Sequence, residues 1–328
     1  MANNFQDTTA SNLLASNQVT VKGQQFGRAF SLVVFGTDLN GLDLSEMRCK
    51  FSVKRSNTMT PNVADIRVYN LDLQTALRIR DNFKRVILQA GYQSNYGVIF
   101  QGNIKQVILG RESATDTFID IVAGDGDRAY NFAIVNQTLA AGATAQDQVN
   151  AAGTAMAPKG VGTGHVGTLP TTQLPRGKVM YGNARNYLRS VAQSTSNNWS
   201  IQDEKITFVP LKSYLPGERV VLTSKTGMIG TPQQTNEGVN VKCLLNPMIK
   251  IGGRIQIDNK SIEQFKINLS VPNSPANIPA PVTADGTYFV LVAEHTGDTR
   301  GVEWYTSLIC LNIDVTSNPI NAVSVSYE

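Results

Sequence analysis

The sequence predicts a mainly β protein of the α+β class, with one α/β segment inserted between two β-rich stretches. Short alternating apolar–polar runs, closed by Gly, Asn and Asp, fill residues 1–125 and return over residues 216–328. Between them, residues 126–215 shift to Gly, Ala, Thr and Pro, and helical periods alternate with strand-like ones. One helical period interrupts the first β-rich stretch, as in an antiparallel sandwich or barrel with a single helix.

Taken in order, Phe30 to Phe35 is a short apolar run ended by Gly36 and Asp38, and Cys49 to Val53 alternates. Val63 to Tyr69 alternates clearly, with Ala64, Ile66 and Val68 on one face. Asn70 or Asp72 then caps a helix in which Leu73, Ala76, Leu77 and Ile79 recur at helical spacing up to about Phe83. Arg85 to Tyr92, Val98 to Leu109 and Thr117 to Ala123 resume the strands. In the middle segment, Thr144 caps a helix to Met156, and Pro158 to Gly177 reads as a Gly- and Pro-rich surface loop. Lys178 to Gly182 is a strand and Asn183 to Ser196 an amphipathic helix. Trp199 to Asp203 and Lys205 to Pro210 form a hairpin. Beyond it, Arg219–Leu222, Gly238–Leu245, Gly253–Asp258, Glu263–Val271, Gly286–His295 and Glu303–Ile313 read as strands, and Pro272–Pro281 as a loop. Each β-rich stretch ends in a long hairpin, one opening at Gly97 and one at Gly286, which suggests two related β units.

The chain has 328 residues and is 41% hydrophobic but only 16% charged, against about 25% in ordinary soluble domains. Disorder is excluded, and Asn, Gln, Ser and Thr must cover much of the surface. The longest apolar runs, such as Leu32–Phe35 and Phe289–Ala293, fall far short of the roughly 18 residues of a membrane helix. Met1 to Asp7 has no basic stretch followed by an apolar core, so no signal peptide is expected. The net charge of +4, without a basic tail, does not single out nucleic acid as a partner. Cys49, Cys243 and Cys310 are scattered among strands and read as small buried residues in a reducing compartment.

Few residues offer chemistry. His165, His295 and the three cysteines match no zinc pattern. Gly162-Thr163-Gly164-His165-Val166-Gly167 has the spacing of a dinucleotide loop, but Pro158 and Pro170 flank it where a strand and a helix belong. Glu294, His295 and Asp298 read as a polar hairpin tip. Asp125 and Asp127 read as a boundary turn, since no calcium loop continues from them. Trp199 and Trp304 read as packing residues. Asp203 and Glu204 are adjacent at a hairpin tip, with side chains expected to diverge into water.

The order of segments resembles the central hub proteins of contractile phage-tail baseplates. Four stretches carry the resemblance: Phe51 to Leu71; Val86 to Gly102 followed by Phe118 to Gly126; Gly182 to Pro210 with Trp199-Ser200-Ile201-Gln202-Asp203; and Gly227 to Pro232 followed by Gly238 to Pro247 and Gly252. The resemblance implies a homotrimer in which residues 1–125 and 216–328 are two tube-like antiparallel β-barrel or sandwich domains, flanking the α/β insert of residues 126–215 with its Gly-rich loop. Three such subunits present six similar surfaces, a ring that adapts a six-fold tail tube to a three-fold central spike. The implied partners are the tail tube protein, the central spike protein and other baseplate proteins, with DNA only as cargo passing through the channel during genome ejection. No stable membrane insertion is implied, nor any catalytic residue, cofactor or metal. The implied location is the virion tail baseplate, after synthesis in the host cytoplasm. Hubs of related contractile injection systems fit the same pattern. The alternative is a tail-associated peptidoglycan hydrolase using Asp203 and Glu204.

Overall fold

The computed structural model describes residues 7–9, 25–36, 40–235, 238–258, 262 and 286–313. The first stretch contains β1 (Asp7–Thr9), β2 (Arg28–Phe35), β3 (Asn40–Asp43), β4 (Cys49–Ser56) and β5 (Val63–Tyr69). After helix α1 (Leu73–Asn82) come β6 (Arg85–Tyr92), β7 (Asn95–Arg111) and β8 (Thr117–Gly124). Period-two alternation sets the faces: Cys49, Phe51, Val53 and Arg55 of β4 point inward, as do Ala64, Ile66 and Val68 of β5. Of the two candidate caps, Asp72 serves α1, its carboxylate accepting from the amides of Gln74 at 3.0 Å and Thr75 at 3.3 Å. Ala76 and Ile79 turn the helix onto a core that includes Leu32, Val53, Ile66, Leu88 and Phe100.

The middle segment has its own core, built around Val149, Met156, Leu188, Val191, Trp199 and Phe208. It runs through α2 (Asp127–Phe132), β9 (Ile134–Leu139), α3 (Ala145–Met156), β10 (Gly162–Val166), β11 (Lys178–Asn183), α4 (Ala184–Ser194), β12 (Asn197–Gln202) and β13 (Lys205–Pro210). Thr144 and Asp147 form a reciprocal capping box that starts α3. The expected loop over Pro158–Gly177 is only partly a loop. Ala157–Lys159 is a turn of 3-10 helix, and Gly162–Val166 is a strand parallel to β13. Close approach explains the glycine there: a Cβ on Gly164 would lie 2.9 Å from Lys205 Cβ and 3.0 Å from Ile206 O.

The last stretch contains β14 (Val220–Leu222), β15 (Met228–Gln234), β16 (Val239–Leu244), β17 (Arg254–Ile257), β18 (Thr287–Asp298) and β19 (Trp304–Leu311). The strand expected over Glu263–Val271 and the loop over Pro272–Pro281 lie outside the described residues. One continuous sheet joins the two β-rich stretches, in the order β1-β3-β2-β6-β7-β8-β5-β4-β18-β19-β16-β15. β14 and β17 lie off that path, with β17 pairing both β14 and β18.

Within this sheet the same plan occurs twice. In the first stretch β4 pairs β5, β5 pairs β8, β8 pairs β7 and β7 pairs β6, all antiparallel. In the last, β15 pairs β16, β16 pairs β19, β19 pairs β18 and β18 pairs β17, again all antiparallel. Each long hairpin carries a register shift, between Ile104 and Gln106 in one and between Val290 and Val292 in the other. Aligning those two bulges makes single hydrogen bonds coincide. Ile104 N donates to Lys84 O at 2.9 Å, and Val290 N to Gly253 O at 3.1 Å. Tyr69 N donates to Arg48 O, as Leu244 N does to Gly227 O, and Asn70 N to Thr117 O, as Leu245 N does to Trp304 O. This register sets Gly286 level with Phe100 rather than with Gly97. The copies meet where β4 of the first pairs with the far half of β18 in the last, from Ser56 opposite Val292 to Lys50 opposite Asp298.

Candidate functional site

Among the described residues, charge is buried most densely where the middle segment meets the seam between the two β copies. The contact begins with the β12–β13 hairpin, whose two loop residues, Asp203 and Glu204, both take left-handed backbone, φ 53° and 57°. Two-residue hairpin loops favour Asn-Gly there, because a side chain in this region costs about 1–2 kcal/mol per residue. Asp125 offsets that cost. Its two carboxylate oxygens accept from the amides of Asp203 at 2.8 Å and Glu204 at 2.7 Å. Gly126 lets the chain bend under the hairpin, since a Cβ there would lie 2.7 Å from Val161 Cγ2 and 2.9 Å from Ile201 Cγ2.

Partners from three stretches close around this turn. Asn62 Nδ2 donates to Asp125 at 3.2 Å and to Gln202 Oε1 at 2.9 Å, while Asn62 Oδ1 accepts from Ser56 N at 3.0 Å. Arg55 is 3% exposed. Its guanidinium pairs with Asp203 at 3.0 Å and donates to Ile99 O at 3.2 Å and Gln202 Oε1 at 3.3 Å. Lys250 Nζ, from the last stretch, lies 3.9 Å from the second oxygen of Asp203. Arg85 pairs with Glu204 through Nη2. Three carboxylates and three cations thus share one partly dry volume.

Burial pushes the Asp125 carboxyl up to about 7, with the Asp203 charge adding to it against the pull of Arg55. Burial also works against ionised Asp203, but Arg55 and Lys250 overcome it and hold that carboxyl below its ordinary range. Glu204 is raised, its burial outweighing the Arg85 charge, and burial lowers Lys250. His295 sits beside the group in the middle of β18, opposite Val53, with Nδ1 2.9 Å from Thr306 Oγ1. Burial, with Arg55 and Lys250 near, lowers it to about 3, so it is neutral at physiological pH.

Several sequence expectations change here. Asp203 and Glu204 do diverge, but into guanidinium groups rather than water: Glu204 is buried and Asp203 is largely covered. Each carboxylate is committed to its own arginine, an arrangement suited to fixing a hairpin rather than to handling a substrate. His295 is a core residue and not part of a hairpin tip. Glu294 accepts from Ser52 Oγ at 3.1 Å, and Asp298 holds Arg48 at 2.9 Å. Asp125 lies inside the junction, whereas Asp127 faces Lys105 at 3.1 Å. Among the described residues, no group of three or more His, Cys, Asp or Glu is placed to hold a metal ion. Nor is any helix among them long and apolar enough to cross a membrane. The three cysteines are free and buried, and Trp199 and Trp304 are fully buried. Sequence reasoning missed Arg55, Asn62, Arg85 and Lys250. For Arg55 a signal exists: it shares the parity of Cys49, Phe51 and Val53 and must point with them into the core.

The seam also carries an aromatic cluster. Phe51 packs edge-on to Trp304 at 5.4 Å between ring centroids, Phe30 stacks on Phe51 at 5.9 Å, and Trp304 Nε1 donates to Gly91 O at 3.0 Å. The plan of two matching β copies, with a compact insert bolted onto their seam, has counterparts among known proteins. Residues 63–264, more than half of the chain, match the family described as baseplate hub gp41. The chain belongs to the baseplate hub gp41 family. As a member, it is a structural component of a phage tail baseplate and hence of the virion's tail. Solved structures share the hub chain's fold at low identity. The 43 kDa tail protein of prophage MuSo2 from Shewanella oneidensis is 7% identical with a TM-score of 0.56, covering 87% of this chain and 98% of that one. The tail protein of Neisseria meningitidis MC58 is 10% identical with a TM-score of 0.52, over 88% and 97%. A type VI secretion system component of E. coli, described as structurally similar to the T4 tail proteins gp27 and gp5, is 9% identical with a TM-score of 0.51, over 90% and 76%. No curated protein matched the chain.

Proposed function

We propose that three copies of this chain form a closed ring on the tail axis, adapting a six-fold tail tube to a three-fold central spike. The observation that carries this reading is the repeated strand plan, with its matching bulges and matching single hydrogen bonds. A subunit bearing two similar β surfaces lets three chains offer six equivalent positions to a hexameric tube. In this reading residues 1–125 and 216–328 are the two tube-like domains, and residues 126–215 are an insert locked to them through Arg55, Asp125 and Asp203. The role is geometric, without turnover: both carboxylates of a hydrolase reading are engaged by arginines. The tube protein and the spike protein are the partners at the two faces, and DNA passes through the ring on ejection. Electron cryo-microscopy of intact tails tests the assembly. Three copies around the axis, between tube and spike, are expected. A different copy number, or density off the axis, overturns the proposal. A zymogram on peptidoglycan, with cleared zones lost in Asp203→Asn, would overturn the non-enzymatic part.

A further inference from the structure

The internal repeat leaves one contact used once and available twice. In the first copy of the plan, the edge strand β4 finds a partner inside the chain: it lies along the outer flank of β18 beyond the stretch that pairs β17. In the last copy, the strand equivalent to β4 is β15, and its outer edge carries no strand partner among the described residues. The strand equivalent to β18 is β7, and β6 pairs it only as far as Asn103. The outer flank of residues 105–111 therefore also lacks a strand partner among the described residues.

Burial records the difference. Aligned on the two bulges, Val107, Leu109 and Arg111 correspond to Ala293, His295 and Gly297. The β18 residues are buried under β4; of their counterparts, Val107 and Leu109 are half-buried and Arg111 is exposed. Ile108, level with Glu294, is 44% exposed, a large apolar side chain on an open strand flank. Long unpaired edges invite association, and proteins cover them or pair them.

We infer that β15 of one copy pairs antiparallel with residues 105–111 of β7 in a second copy, reproducing between chains the β4–β18 joint found within the chain. The inference rests on the ring reading above and supplies its inter-subunit contact. The register follows from the repeat. Ser52 lies opposite Asp65 and Thr296, and Gln233 lies opposite Asn240, the counterpart of Asp65. Gln233 is therefore placed opposite Gly110, Gln234 opposite Leu109 and Thr235 opposite Ile108. Ile229, on the other side of the β15 bulge, falls opposite Glu112. The bulge spans Gly230–Pro232, where Pro232 has no amide to give, so the ladder comes in two short blocks. No like charges face each other in this register, and Thr235 and Ile108 stand where Lys54 and Glu294 make their 3.9 Å ion pair within the chain. The contact is head-to-tail: each chain gives one edge and receives another, which closes into a ring when the rotation permits.

Paired cysteines test the register in assembled tails. Directly opposite residues in an antiparallel pair have Cα atoms about 4.5–5.5 Å apart, within disulfide reach. Tails carrying Ile108→Cys with Thr235→Cys are expected, on oxidation, to yield covalently linked dimers and trimers of this chain. Ile108→Cys with Gln234→Cys, which would face opposite sides of the sheet, should link at least tenfold less. Intrachain linkage, or on-axis rings that link with neither pair, overturns the contact while leaving the hub reading standing. Tails in which the protein sits off the axis overturn both. Hydrogen exchange on the wild-type chain provides a second measurement that needs no variant. Those amides of residues 105–111 that point away from β8 should exchange at least tenfold more slowly in the assembly than in the free chain, and equal rates would refute the pairing.

Discussion

Asp125→Asn reports directly on the charged junction. The Asp125 carboxyl moves from its ordinary value of 3.8 to about 7 on folding, because burial and the Asp203 charge disfavour its ionised form. A raised carboxyl means that the folded state keeps a proton which the unfolded chain gives up near pH 4. The stability tied to that proton is complete below pH 4, falls as pH rises toward 7, and is gone above it. At 1.36 kcal/mol per pH unit, the whole span is worth on the order of 4 kcal/mol. Asparagine has the same shape and does not titrate. At pH 4.5 the variant should be the less stable by about 1–3 kcal/mol, since asparagine has a single acceptor oxygen and its Nδ2 cannot accept from the second of the two amides of Asp203 and Glu204. Toward pH 8 that difference should move in the variant's favour by up to about 4 kcal/mol. His295 acts oppositely. Lowered to about 3 by burial, it contributes stability that is present above pH 6.5 and lost as pH falls toward 3. It is common to both proteins and cancels in their difference. Urea denaturation at a series of pH values, followed by fluorescence of Trp199, which is buried in the insert's core, reads the gap. A variant less stable than the wild type by a constant amount from pH 4.5 to 8.5 would refute the reasoning. It would mean that the amide hydrogen bonds outweigh burial and hold Asp125 ionised throughout.

Arg55→Met should cost about 3–5 kcal/mol by urea denaturation, because it strands Asp203 beside a distant Lys250; a loss under about 1 kcal/mol would show that the pair is water-screened. Gly297→Ala should lower the calorimetric midpoint through overpacking of about 1–3 kcal/mol, since the added methyl meets the Phe51 ring and lies 2.8 Å from Trp304 Cε3. Burial holds the thiols of Cys49, Cys243 and Cys310 far above their ordinary pKa. A thiol reagent at pH 8 should therefore label none of them in the native protein and all of them in urea; rapid native labelling would place one at the surface.

Legibility in the sequence followed how local each determinant was. Alternation set the inward faces of β4 and β5, and Asp72 and Thr144 marked the starts of two helices, because each signal lies within a few residues of its effect. The short strand Gly162–Val166 was hidden, since a glycine run reads as loop unless β13 is known to run alongside it, close enough to leave no room for a Cβ at Gly164. β15 was obscured by Gly230 and Pro232, which break the alternation at its bulge. The junction was out of reach for a different reason. Asp125, Asp203 and Lys250 are far apart in sequence, and only the completed sheet brings them together. The repeat was visible as two long hairpins, but its register emerged only from the bulges.

The β4–β18 seam also bears on how the chain is made. Ser56 leaves the ribosome roughly 236 residues before Val292, its partner across the seam. At synthesis rates of about 5–20 residues per second, β4 therefore waits on the order of 10–50 s with one edge bare. Neither copy of the sheet can be joined to the other until the last hairpin has been synthesised, which makes the final association step non-local and slow. During that interval β4 can be captured by the wrong chain, and polysomes place many nascent copies side by side. Production of a soluble subunit should accordingly depend on translation rate and temperature more steeply than its finished stability would suggest.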